Sequence, residues 1–485
     1  MESEEGEIMY SLAKQMISEK EVRRKITILE QLLSTAQMTT KDLAQQLGVS
    51  QRTVFHDLQT LRYELPEDWQ LEAQGNQGVS LTASRPVALY EVWEFYMEQS
   101  LAMAVLKGLL FKRELSVVSF LMDNGVSYET LKRQVQKMNQ ELTDFQLTIR
   151  LTRSQLSWVG EESSLRVFYH RLLTPFTHQH FFFEDYQVHE SNYRDFLASL
   201  KRQNKQAKTE EIFGICWFFI NTIRIKAGCS IENLHYEEDD LAFSYQESIQ
   251  ALYQKEGVLL KGDEAFFAYF CFLESWSYLL SPDVSQLLQK NYGHLFQRGK
   301  AYLNTLVEGV LLADDQELLE DLVLFQVKYY ESKSLTDKFL GEYAEVLHVC
   351  QEKFPSLYQD VARSLATGEL EGITEVSNHA VSNLVLLIQT AKARLNLQPL
   401  CVFLIFQGEP AWKQFLIQEL QDLAGKRVKL IEINATEVPT DVKKTDIILS
   451  NLPLEKTLAS VVSLSMVPTD RELWEFRKLI QKRYL

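Results

Sequence analysis

The sequence predicts a mainly α-helical, multidomain chain that opens with winged helix-turn-helix modules and closes with a small α/β domain. Three observations carry that reading. Only 10 of 485 residues are Pro and 19 are Gly, a composition poor in helix breakers. Between Met38 and Leu61, apolar, small and capping residues fall where two short helices joined by a tight turn need them. Beyond residue 396 the pattern changes to apolar runs of strand length around one helix.

Composition bounds the function. At about 100–200 residues per domain, the length predicts three to five domains. No apolar run approaches the roughly 20 residues of a membrane span, and no membrane contact is expected. The acidic start, Met1-Glu-Ser-Glu-Glu, lacks the basic residues of a secretory signal. Five cysteines, none at CxxC spacing, speak against a disulfide framework or a zinc cluster. A reducing cytoplasm, with no metal and no cofactor, is the expectation. The net charge of −16 opposes nucleic-acid binding, but it is unevenly spread. Val22 to Tyr63 holds six Lys/Arg against three Asp/Glu, and Leu101 to Gly160 eight against five.

The elements follow in order. Val22, Ile26, Leu29, Leu32 and Leu33 have helical spacing. Thr39 caps the next helix, with Asp42 three residues on, and Leu43, Ala44 and Leu47 form its inner face. Gly48 supplies the left-handed turn, and Ser50 caps a second helix buried through Val54, Leu58 and Leu61. That helix exposes Gln51, Arg52, Thr53, His56 and Gln59, the polar and basic types that base edges and phosphates require. Trp69 to Ala73 and Val79 to Leu81, around Gly75 and Gly78, read as a hairpin wing. A second copy lies 77 residues on, comparing Ser50 with Ser127. Leu101 to Leu121 reads as helix, and Ser127 caps a helix buried through Leu131, Val135 and Leu142. Tyr128, Lys132, Arg133 and Lys137 face outward, and Gln146 to Ile149 with Leu156 to Val159 make the second wing.

From Glu161 to about Arg394 the chain reads as helix after helix, rich in core aromatics such as Phe181-Phe-Phe and Trp217-Phe-Phe. Ser281-Pro-Asp opens a second bundle. Leu400 to Phe406, Val428 to Ile433 and Thr445 to Ser450 read as strands, with a helix over Pro410 to Leu423, hence a parallel sheet.

This ordered set, above all the turn around Gly48 and the wing ending at Gly160-Glu-Glu, resembles the Mga/AtxA family of Gram-positive virulence and global regulators, most of all an enterococcal member. The resemblance implies five parts: a first winged helix-turn-helix (1–84), a second (85–160), two phosphotransferase-system (PTS) regulation domains (161–280 and 281–396) and an enzyme IIB-like domain (397–485). It implies a DNA-binding transcriptional regulator that binds double-stranded DNA, forms a homodimer and meets PTS phosphocarrier proteins. It further implies phosphorylation on histidine, since imidazole keeps a nucleophilic nitrogen near neutral pH. Candidates are His189 and His379 first, then His170, His178 and His180, with His235, His294 and His348 also available. Two alternatives remain: a PTS phosphotransfer component and an RNA-binding antiterminator. The first meets a departure. The loop where an enzyme IIB carries its acceptor Cys is here Gln407-Gly-Glu-Pro410, without Cys or His. The second lacks its small β-rich RNA module. No Walker, HExxH or GxSxG motif suggests an enzyme.

Overall fold

The computed structural model describes residues 11–35, 38–73, 78–83, 85, 87, 89–177, 180–183, 189–237, 240–277, 281–306, 312–340, 344–366, 370, 377–395, 400–426, 428–433, 446–452 and 459–484. The chain forms two compact units, Met1–Leu295 with Val323–Glu345, and Phe296–Leu322 with Val346–Leu485. The first unit therefore takes back a segment from beyond residue 280, where the sequence suggests a boundary.

The first unit opens with α1 (Ser11–Met16) and α2 (Lys20–Ser34), followed by α3 (Thr40–Gln46) and α4 (Gln51–Glu64). Strands β1 (Trp69–Ala73) and β2 (Val79–Ala83) pair antiparallel as a wing, and Met38 bridges to Val79 at its base. Then come α5 (Leu89–Met97), α6 (Leu101–Phe111), β3 (Glu114–Ser116), α7 (Val117–Asn124) and α8 (Tyr128–Glu141). Strands β4 (Thr148–Leu151) and β5 (Gln155–Val159) complete a three-stranded sheet in the order β3-β5-β4. The helix expected over Leu101 to Leu121 is thus interrupted. Glu114 to Ser116 pair with Ser157 to Gln155, and the hydrogen bonds of that ladder outweigh helix propensity in so short a stretch. Ser116 then caps α7 by accepting from the Ser119 N–H.

A helical bundle follows: α9 (Glu162–Leu173), α10 (Glu190–Arg202), α11 (Glu211–Lys226), α12 (Asp240–Gln254) and α13 (Asp263–Glu274). Its core is aromatic, with Trp217, Phe218, Phe267 and Phe270 buried. Beyond α14 (Pro282–Asn291) and α15 (Gly293–Thr305), the long α16 (Gln316–Leu340) bends at Ser332, whose φ of −158° and ψ of 98° are not helical. Ser332 Oγ donates to the His235 carbonyl at 2.8 Å.

One buried ionic network joins the bundle to the second winged module. Arg224 of α11 donates to both carboxylate oxygens of Glu162 at 2.8 Å. Its Nη1 donates to the Leu109 carbonyl at 2.6 Å and the Leu110 carbonyl at 3.3 Å. Those carbonyls lie in the last turn of α6, where no intrahelical donor remains. Arg166, fully buried, grips Glu264 in a bidentate pair at 2.7 and 2.8 Å. Tyr169 adds a hydrogen bond from its hydroxyl to the Leu106 carbonyl at 2.8 Å.

In the second unit, α17 (Ala344–Lys353) gives way to α18 (Pro355–Ala366), which packs against α19 (Asn378–Leu395). The closing domain has β6 (Leu400–Ile405), α20 (Pro410–Ala424), β7 (Val428–Glu432), β8 (Ile447–Ser450), β9 (Ser460–Ser463) and α21 (Asp470–Tyr484). Its four strands are all parallel in the order β7-β6-β8-β9. Val402, Leu404, Ile447 and Leu449 pack on Leu416, Leu420, Phe476 and Ile480 of the two helices. Strand β9 and helix α21 extend the domain beyond what the sequence pattern marks.

Removing one member of a buried charge pair strands the other. Burial pushes the Glu162 carboxyl up, but the Arg224 hydrogen bond and the Arg166 charge outweigh it and hold the group below its usual range. Its stabilisation is therefore complete above the ordinary carboxylate range and is lost as pH falls through the depressed value. Glu162→Gln should cost about 3 kcal/mol in urea unfolding. Arg363→Ala, which removes an exposed pair with Asp360, should cost less than about 0.5 kcal/mol.

Candidate nucleic-acid interface

The two turn motifs are built alike. Gly48-Val49-Ser50 and Gly125-Val126-Ser127 each precede a helix by the same step, and both glycines sit at φ +63°. A side chain there would be strained, which is why glycine stands at each turn. Ser50 Oγ accepts from the Thr53 N–H at 3.1 Å, and Ser127 Oγ from the Thr130 N–H at 3.2 Å. Each cap fixes where its recognition helix starts. Upstream, Thr39 caps α3 by accepting from the Asp42 N–H, as its spacing implies.

Helix α4 buries Val54, Leu58 and Leu61. It exposes Gln51, Arg52, His56 and Gln59 on the other side, together with Phe55, Arg62 and Tyr63. Thr53 is only half-buried, and its hydroxyl lies 2.9 Å from the Ser50 hydroxyl, so it belongs to the cap. The helix has two acids, and neither faces outward among the basic residues. Asp57 is fully buried and holds Arg24 of α2 by two hydrogen bonds. Glu64 holds Lys25 at 2.9 and 3.0 Å. The exposed residues of α4 therefore include no acid, in a chain whose net charge is −16. That acid-free face is what a phosphate-lined groove can accept.

Helix α8 buries Leu131, Gln134, Val135 and Met138. Lys132, Arg133 and Lys137 are exposed as expected, whereas Tyr128 is half-buried. Glu129 and Glu141 remain exposed at its two ends. Gln134 occupies the position of Asp57 in the repeat, and its buried amide oxygen accepts from Ser18 Oγ. Each recognition helix thus carries one buried polar residue tied to the N-terminal segment.

The candidate histidines scatter. His170 is fully buried, stacked on Trp217 with ring centroids 4.0 Å apart, so its ring presents nothing to a phosphodonor protein. His189 is well exposed, and its Nδ1 lies 3.4 Å from Oε1 of the buried Glu256. Asn192 Nδ2 donates to the same oxygen at 2.7 Å, and Lys226 stands 3.9 Å from the other. His379 is half-buried in the first turn of α19, while His235, His294 and His348 are exposed. His178 lies outside the described residues, as does the side chain of His180. In the closing domain, Glu409 caps α20 by accepting from the Trp412 N–H at 2.8 Å. The loop Gln407-Gly-Glu-Pro410, which has no Cys or His to accept phosphate, thus places a carboxylate at the helix N-terminus, where an anion would be repelled. Among the described residues no His, Cys, Asp and Glu group could hold a metal ion, and no helix is long and apolar enough to cross a membrane.

Comparison with known proteins agrees with this geometry. Residues 24–80 match a family model described as "HTH domain", and residues 87–173 one described as "Mga helix-turn-helix domain". The Bacillus anthracis "Anthrax toxin expression trans-acting positive regulator" is 22% identical over 91% of this chain and 94% of its own length. "Capsule synthesis positive regulator AcpB" from the same organism is 20% identical over 94% of this chain and 97% of its own. Over nearly its whole length the chain is similar to these regulators, and its N-terminal part carries an Mga type of helix-turn-helix domain. This Mga-like chain is a DNA-binding regulator and not an enzyme. Residues 291–392 also match a model described as "Non-canonical single-stranded DNA-binding domain". That stretch carries eight Lys/Arg against fifteen Asp/Glu, a balance that opposes phosphate binding.

Lysine and arginine side chains that meet DNA as point charges hold phosphates without reading bases, and α8 exposes three of them. Replacing Lys132, Arg133 and Lys137 with Ala should weaken binding to every duplex alike. The slope of log affinity against log salt should flatten by roughly 1 for each phosphate no longer held. Filter binding at several salt concentrations reads both, and a loss confined to one duplex contradicts the assignment.

Proposed function

We propose that this chain is a cytoplasmic transcription regulator that reads double-stranded DNA through α4, adds backbone affinity through α8, and links PTS status to gene expression. The acid-free outer face of α4, with Asp57 and Glu64 turned onto Arg24 and Lys25, carries the first part. Gln51, Arg52 and His56 are the readers. The relatives are named positive regulators, which supports activation as the sense of the control. Arg52→Ala together with Gln51→Ala should cost about 1–3 kcal/mol on a selected duplex and much less on a random one. Equal affinity of wild type and double variant on the selected duplex contradicts the reading.

The two bundles, 161–280 and 281–396, are read as PTS regulation domains and 397–485 as an enzyme IIB-like domain. The parallel sheet order of the last supports the IIB likeness, and the Glu409 cap makes it a non-transferring one. His189 is the best-placed phosphoacceptor. With Nδ1 turned to Glu256, its Nε2 is the nitrogen left for attack. His379 is the second. Incubation with purified phosphocarrier proteins and labelled phosphoenolpyruvate should label the chain. His189→Ala should remove most of that label, and its persistence contradicts the assignment.

The chain is expected to act as a homodimer, because two linked readers raise the effective concentration of the second DNA contact. Light scattering on the full chain at micromolar concentration should give twice the chain mass.

A further inference from the structure

Phe55 stands out on α4. It is 57% exposed, on a helix that turns Val54, Leu58 and Leu61 inward and whose other exposed aromatic, Tyr63, lies about two turns on at the far end. Single exposed aromatics are common on protein surfaces and need no special cause. What distinguishes Phe55 is its neighbourhood. At 3.6 residues per turn, the residue falls between Gln51 and Gln59 on the helix wheel, one turn from each. Arg52, His56 and Arg62 are exposed around it, and Asp57 and Glu64 are engaged by Arg24 and Lys25. An apolar ring within a row of amides and cations suits a surface that is itself polar and anionic but carries one apolar group. The major groove is such a surface: its only apolar feature is the C5-methyl of thymine. Glutamine amides are suited to the adenine opposite. A protein surface or a lipid would instead call for an apolar patch, and Phe55 has no exposed apolar neighbour at positions 51, 52, 56 or 59.

The second module supplies an internal contrast. With Ser50 aligned on Ser127, Val54, Leu58 and Leu61 fall on Leu131, Val135 and Met138, all buried. In that register Phe55 falls on Lys132. Identical scaffolds thus carry a ring in one copy and a phosphate-seeking cation in the other.

We infer that Phe55 is a specificity-determining residue that packs on a thymine C5-methyl in the major groove. The inference rests on the proposed reading of DNA through α4. The test starts from duplexes selected by the full chain from a library with a randomised core. Thymines of the selected core are then replaced one at a time by uracil, which removes the methyl and nothing else. Wild type should lose about threefold to tenfold in affinity at one position. Phe55→Ala should show that loss already on the thymine duplex and no further loss on uracil, while Phe55→Leu should retain part of the sensitivity. Because the side chain is exposed, the variants should melt with wild type.

Wild-type binding indifferent to uracil at every position overturns the role of Phe55 and leaves α4 as a reader. So does a Phe55→Ala variant that is still sensitive to uracil, its loss relative to wild type being the same on the thymine duplex as on the uracil duplex. Failure of the full chain to enrich any duplex, at low salt as well as high, removes the interface itself and Phe55 with it.

Discussion

An acidic chain that must hold a polyanion has to keep its own carboxylates away from it, and the N-terminal module meets that constraint through two ion pairs. Arg24 takes Asp57 and Lys25 takes Glu64, so that neighbouring residues of α2 neutralise both acids of α4. The pairs also fix the helix. Asp57 is fully buried beside Val54, Leu58 and Leu61, and α4 cannot rotate about its axis without stranding that charge. Orientation of the reading face and suppression of its negative charge therefore come from the same contacts. Ser50 and Gly48 set where the helix begins, and the α2 cations set which side faces out.

A regulator also needs its reader tied to whatever senses the signal. Arg224 ties the second winged module to the bundle in the first unit, because one guanidinium bonds both the bundle carboxylate of Glu162 and the terminal carbonyls of α6. A cation at that place matches the negative end of the α6 dipole as well as filling its orphan acceptors. Arg166 and Glu264 then anchor Glu162 to α13 on the far side. All these groups are desolvated, so their geometry is constrained much more tightly than that of the exposed pairs at Arg194 or Arg363.

Much of this is legible in the sequence, for physical reasons that differ by region. The turn at Gly48 imposes a positive φ, a cap and an inward stripe within fourteen residues from Gly48 to Leu61, and few other local structures satisfy all three. The second copy is legible for the same reason at Gly125 and Ser127. Strand β3 is not, because three residues between two helices carry no period, and only pairing with β5 defines them. The pairs Arg24–Asp57 and Glu162–Arg224 join residues far apart in sequence, and no spacing rule announces them. Among histidines, sequence alone lends equal standing to rings that the fold treats oppositely, closing His170 against Trp217 and exposing His189 beside Glu256. Phe55 carries no sequence signal, because an apolar residue on an otherwise polar face reads as noise until its exposure is known.

Phosphorylation of His189, as proposed, would add charge at a place from which the bundle can act on the second winged module. His189 lies on the same buried carboxylate as Lys226, and Lys226 lies two residues beyond Arg224 on α11. A phosphoryl group on His189 would bring about two negative charges to Glu256, and Lys226 is the cation beside that carboxylate. Drawing Lys226 toward the added charge acts on the last turn of α11, where Arg224 holds the α6 carbonyls. The second winged module rests on α6 through its buried Leu106, Leu109 and Leu110. A charge added at the surface of the bundle would thus have a short covalent and hydrogen-bonded route to α6 and, through it, to the module that exposes the cations of α8.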